Sequence, residues 1–153
     1  MTYTPVIPGS YQSNRQDLND ALEAIINAFI ASESYAIGRK FMSEMPDLVA
    51  GEGPLIILGD ISEAIQHTMQ LRITTFTGSL IYLDWITARG EYNTRVNRFA
   101  DKMRDLFTYN RSTVKPDAVL QQTGFEEGEM QLGNLTFGVP QVNYTYVIQE
   151  GYQ

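Results

Sequence analysis

Apolar residues recur along the chain with two different periods. Leu18, Leu22, Ile25, Ile26, Phe29 and Ile30 follow one another at spacings of 4, 3, 1, 3 and 1, which places them on one face of a helix. Ser13 and Gln16 precede that stripe in the S-x-x-Q relation of a capping box, and Asp17 and Asp20 suit the positive end of a helix dipole. A second stripe, Tyr92, Val96, Phe99, Met103, Leu106 and Phe107, predicts a helix over residues 90–109, with Glu91 four residues ahead of Arg95 in the favourable ion-pair order. Elsewhere the period shortens towards two. Leu55-Ile56-Ile57-Leu58, bounded by Pro54 and Gly59, predicts a strand buried on both faces. Met69, Leu71 and Ile73 alternate with Gln70, Arg72 and Thr74 and predict a half-buried strand ending in a turn at Thr77-Gly78. Residues 80–86 read either as its hairpin partner or as the entry to the following helix. After Pro116 the glycines at 124, 128, 133 and 138 divide the chain into two or three strands. The last, residues 142–148, is rich in β-branched and aromatic side chains that fit a pleated surface.

This order predicts an α+β fold with two amphipathic helices packed on one face of a mainly antiparallel sheet. Pro5, Pro8 and Gly9 mark residues 1–12 as an extended N-terminal arm, because proline fixes its own φ and steers its predecessor away from helix. Residues 13–153 then form a single domain, as a chain of 153 residues suggests. Gly38, Pro46, Gly51 and Gly53 interrupt any period between the first helix and the first strand, so that region reads as a long connection with one short element.

Composition narrows the chemistry. There is no cysteine and one histidine, His67. That removes disulfides, thiolate metal sites and thiol nucleophiles, and leaves little for a histidine-based triad. No phosphate-binding glycine loop follows the strand at Leu55. No cofactor, metal site or catalytic constellation is expected, and the chain reads as a non-enzyme. No basic leader or long apolar run is present at the start, and the longest apolar stretch is far below the roughly 20 residues of a membrane helix; a soluble protein is expected.

The charge is uneven. The net charge is −7, yet residues 89–115 hold seven of the eleven basic groups. Arg95, Arg98 and Lys102 recur at i, i+3 and i+7 on one strip of the second helix, with Arg111 and Lys115 just beyond it. Two readings stand. The strip is a solvated helix face, or it is an interface that meets an acidic surface on the next copy in a head-to-tail ring. Glu126, Glu127 and Glu129, set among glycines, read as a solvated hairpin tip and as a candidate contact surface. DNA binding is the weakest option, since the rest of the chain repels phosphate. Tyr82, Trp85 and Tyr92 could line a small pocket, and in that alternative the chain is a small ligand-binding or enzymatic α+β domain.

The ordering resembles the tail terminator proteins of long-tailed bacteriophages. The likeness is carried by the opening helix from Leu18 to Ile30, the strand Leu55-Ile56-Ile57-Leu58, the alternating strand from Met69, the single helix from Glu91 to Phe107 and the closing strand Tyr144-Thr145-Tyr146-Val147-Ile148. That resemblance implies a structural virion protein, assembled in the host cytoplasm. It forms a homo-oligomeric ring, a hexamer, that caps the major tail tube protein and joins it to a head connector or stopper protein. DNA passes through the ring without specific binding, and no membrane is involved. A head-completion or stopper protein of the same neck is the neighbouring alternative.

Overall fold

A computed structural model describes residues 3–5, 13–33, 38–41 and 54–151. Of the predicted arm, Tyr3, Thr4 and Pro5 are exposed and belong to no helix or strand, and residues 6–12 lie outside the described residues. The glycines and proline of residues 46–53 also lie outside them.

The first helix, α1 (Asn14–Ser32), starts where the capping signal puts it: the Ser13 side chain accepts from the Gln16 N–H at 3.2 Å. The reciprocal half of the box is not made, because the Gln16 side chain donates to Asp20 instead. The second helix, α2 (Arg89–Tyr109), buries Tyr92, Val96, Phe99, Met103 and Phe107 of the stripe its spacing predicts, with Leu106 partly buried at its margin. Between and after the helices lie eight strands among the described residues: β1 (Gly38–Phe41), β2 (Leu55–Leu58), β3 (Ser62–His67), β4 (Leu71–Trp85), β5 (Ala118–Glu126), β6 (Glu129–Leu132), β7 (Leu135–Gly138) and β8 (Gln141–Gly151). All pairings are antiparallel except β1 with β2. The fold is α+β, with both helices on one face of the sheet, as the pattern predicts.

The spine of the sheet is β4, 15 residues long. Its first half pairs with β3 on one side and β8 on the other, and its second half pairs with β2 and, at Asp84 and Trp85, with β7. Two expectations are corrected here. There is no turn at Thr77-Gly78, and residues 80–86 are neither a separate strand nor a helix entry; the strand runs straight on to Trp85. Gly78 is needed for a different reason, since a Cβ there would stand 2.5 Å from the Tyr144 hydroxyl, whose ring lies over it. The true hairpin partner of the first half is β3, reached through a tight turn in which the Thr68 N–H donates to the Leu71 carbonyl.

The main core is sandwiched between the helices and the sheet. Leu18, Leu22, Ile26 and Phe29 of α1 and the α2 stripe meet Phe76, Leu80 and Tyr82 of β4, Val142, Tyr144, Tyr146 and Ile148 of β8 and Leu120 of β5. Phe99 packs edge-on to Phe29 and stacked on Tyr82, at centroid distances of 5.6 and 4.9 Å, both within the range that favours aromatic pairs. A smaller cluster of Leu55, Ile57, Leu83 and Phe137 lies on the opposite face, where the β6–β7 hairpin covers one end of the sheet. This explains why all four residues of β2 are buried. Over the other end, no helix or strand among the described residues covers the helix-free face: Thr75, Thr77 and Ser79 of β4 line up beside Asn143, Thr145 and Val147 of β8.

Candidate interface surfaces

The basic strip on α2 is tied down within the chain. Arg95, which the spacing places opposite Glu91, reaches instead across to Asp84 of β4, Nε to Oδ2 2.6 Å. Asp84 is 3% exposed and also accepts from the Tyr82 hydroxyl at 3.1 Å. Burial works against the charge on Arg95, but the bond to Asp84 outweighs it and raises the guanidinium above its ordinary value. One turn further along, Arg98 and Lys102 converge on Glu33, the residue that ends α1, at 2.8 and 2.5 Å. Lys102 also donates to the Ser32 carbonyl and hydroxyl. Burial would push the Glu33 carboxyl up, yet the hydrogen bonds and charges of Arg98 and Lys102 hold it below the usual carboxylate range. The bond to the Ser32 carbonyl also satisfies one of the acceptors that a helix C-terminus leaves open. The strip is therefore a brace that fastens α2 to β4 and to the end of α1.

The remaining candidates are scattered. Lys115 donates to Asn14 at the start of α1, 2.7 Å away. Arg111 is exposed in the α2–β5 loop and forms no ion pair among the described residues; its carbonyl accepts from the Leu120 N–H at 2.9 Å. Glu126, Glu127 and Glu129 are exposed, but they are not the hairpin tip that the glycines suggest: β5 pairs with β8 and β6 with β7, so the three acids lie on a connection between strands that do not pair with each other. Glu129 pairs with Arg89 at the start of α2, which raises the arginine's pKa, and Glu126 accepts from Gln141.

The aromatic residues that could line a pocket do not meet in one. Tyr82 is fully buried in the main core, while Trp85 packs in the smaller cluster on the other face. Tyr92 is buried with its hydroxyl against Gly138, where a Cβ would fall on it; burial and the nearby Asp84, Glu129 and Glu127 push its pKa up to about 12. His67 is exposed on β3. Among the described residues there is no cluster of three or more potential metal ligands, and no helix is long and apolar enough to cross a membrane.

Sequence reasoning missed the edges. The six residues of β3 are all exposed, Ile65 is 53% exposed, and Met69 at the β3–β4 turn is 98% exposed. Nothing in a stretch such as Ser-Glu-Ala-Ile-Gln-His alternates, because both faces of this strand are exposed.

No protein-family model and no curated protein sequence matches the chain. Among solved structures the chain is similar to the sheath/tube terminator of an extracellular contractile injection system, PVC, in its extended state. The TM-score is 0.53 at 15% identity, over 94% of this chain and 58% of that one. The chain thus spans a little over half the length of that protein. It is also similar to the type 4 fimbrial biogenesis protein PilO from Pseudomonas aeruginosa, at 8% identity over 91% of this chain and 73% of that one, but a TM-score of 0.39 is too low to support an argument. The first likeness establishes a terminator-like fold.

Proposed function

We propose that the chain is a tail terminator, a structural protein of the phage virion that closes into a ring on the end of a tail tube and presents its other face to a head connector. The observation that carries this reading is the likeness of fold to a sheath/tube terminator over 94% of the chain. The interior supports it. The core is filled by aliphatic and aromatic side chains. On this reading the protein is not an enzyme.

The charge fits a passage for DNA. The net charge is −7 per chain, and Arg15, Arg72, Arg89, Arg95, Arg98, Lys102 and Arg104 are all engaged by carboxylates of the same chain. Cations paired in this way, on a subunit of net negative charge, attract phosphates weakly, which keeps a passing duplex from sticking.

The test is the solution mass of the purified protein by light scattering, with negative-stain images of the same sample. A closed ring, six-fold on this reading, is the expected result. A protein that stays monomeric both alone and in the presence of its tail tube protein contradicts the proposal.

A further inference from the structure

We infer that the ring closes by sheet extension, with β3 of one copy adding as a strand to the free edge of β5 on the next. The inference rests on the ring proposed above and names the surfaces that would form it.

Strand direction comes first. Across the wide part of the sheet the order is β3, β4, β8, β5, every pair antiparallel. The two outer strands therefore run in opposite directions. Copies related by rotation about an axis roughly along the strands bring β5 of one beside β3 of the next as another antiparallel pair, and the same contact repeats until the ring closes.

Hydrogen bonding comes second. The Thr68 N–H points to β4, so along β3 the main-chain groups of Ser62, Ala64 and Gln66 also face β4, and those of Glu63 and Ile65 face outward. On β5 the Leu120 N–H points outward, where the Arg111 carbonyl takes it. Beyond that contact, residues 121–126 have no strand on their outer side among the described residues. Neither edge contains the lysine or proline that guards an exposed strand.

Height comes third. Ser62 lies in the row of Thr77 and Glu126 in the row of Ile81, so the free stretch of β5 stands four rows further along β4 than β3 does. Strands in a closed sheet tilt by about 35–45°, which displaces each neighbour by about one residue, or about four over four strands. The direction also agrees. The helix-facing Tyr82 donates towards Pro140 and the opposite-facing Ser79 accepts from Gly59. Seen from the helices with β4 running upward, this puts β3 on the left and β5 on the right. The right-handed coil of a barrel raises the copy on the right, provided the helices lie outside. Ser62 of one copy then meets Glu126 of the other, and Gln66 meets Gln121, five residues against six. The extra residue is the irregularity already present in β5 between Gln122 and Gly124.

Two consequences fit the surface. The β3–β4 turn, with Met69 at its tip, arrives at a hollow of about 310 Å³ lined by Lys115, Pro116, Ala118, Val119 and Val147. The face turned to the centre is the uncovered one, where Thr75, Thr77, Ser79, Asn143, Thr145 and Gln121 are uncharged.

The chain has no cysteine, so a pair can be placed freely. Gln66 and Gln121 form a pair whose main-chain groups turn away from each other, the closer kind, within reach of a disulfide. Oxidation of the Gln66→Cys, Gln121→Cys protein is expected to turn the monomer band on a denaturing gel into a ladder of multimers, while each single variant stays monomeric. Ile65→Pro removes an outward N–H without touching the hairpin's own bonds; it is expected to keep the monomer's thermal midpoint and lose the ring. Dimers from either single variant would mean that like edges meet, which overturns the inference. A ring by light scattering without the ladder overturns it too, and leaves the terminator reading standing. Absence of both ring and ladder also overturns it, and the effect of the protein on tube length then judges the terminator reading by itself.

Discussion

Asp84 is acidic, almost fully buried and bonded to two partners, and its position explains all three. It follows Tyr82 by two residues on β4, so both side chains point to the helices, and α2 brings Arg95 over them. Asp84→Ala strands a half-buried guanidinium and a buried hydroxyl. The expected loss is about 2–4 kcal/mol, read from the denaturant midpoint. Glu33 gives a pH dependence instead. Its folded pKa lies below the ordinary 4.5, so its contribution is fully present above that value and is lost as pH falls through the folded pKa. Glu33→Gln is expected to cost about 1 kcal/mol at neutral pH, because Arg98 stays half in water. The gap to the parent protein should close below pH 4.5; a gap that persists in acid would remove the carboxylate as its cause. The sequence held every charge in this brace but not its pairing. Spacing along one helix offers Arg95 only Glu91, and the partner it takes comes from a strand that folding brings over it.

At the scale of elements, the helices were legible and the sheet only in part. Each helix buries one long stripe, and a period of 3.6 shows in sequence whatever the stripe packs against. The strand β2 was legible because both of its faces are covered. The strand β4 reads as two because Gly78 looks like punctuation, while its real role is to admit the Tyr144 ring. β3 carries no pattern at all, being exposed throughout. The glycine argument is testable at the other close approach. Gly138 of β7 lies under the Tyr92 hydroxyl, so Gly138→Ala forces either the hairpin or the start of α2 to move. A loss of roughly 1–3 kcal/mol is expected from overpacking, together with greater exposure of Tyr92 to alkaline titration below its present pKa of about 12. Unchanged stability would show that β7 is loosely held.

At the scale of the whole molecule, a net charge of −7 and the capture of most described cations by neighbouring carboxylates predict weak DNA binding. Retention of duplex DNA by the purified protein is expected to be negligible at physiological salt, and a steep salt-dependent affinity would show an exposed basic surface instead. Arg95, Arg98 and Lys102, read from charge, hold α2 to the rest of the monomer, and strand edges are a second kind of surface that charge does not reveal. An edge is a property of the order in which strands pair, and no local pattern in the sequence records that order.

The most direct test of the account is the length of tail tubes polymerised from the tube protein of the same particle, imaged with and without this protein. The account predicts tubes that stop short, each with a ring at one end, and lengths that fall as the protein is raised. Tubes of unchanged length with bare ends would contradict it.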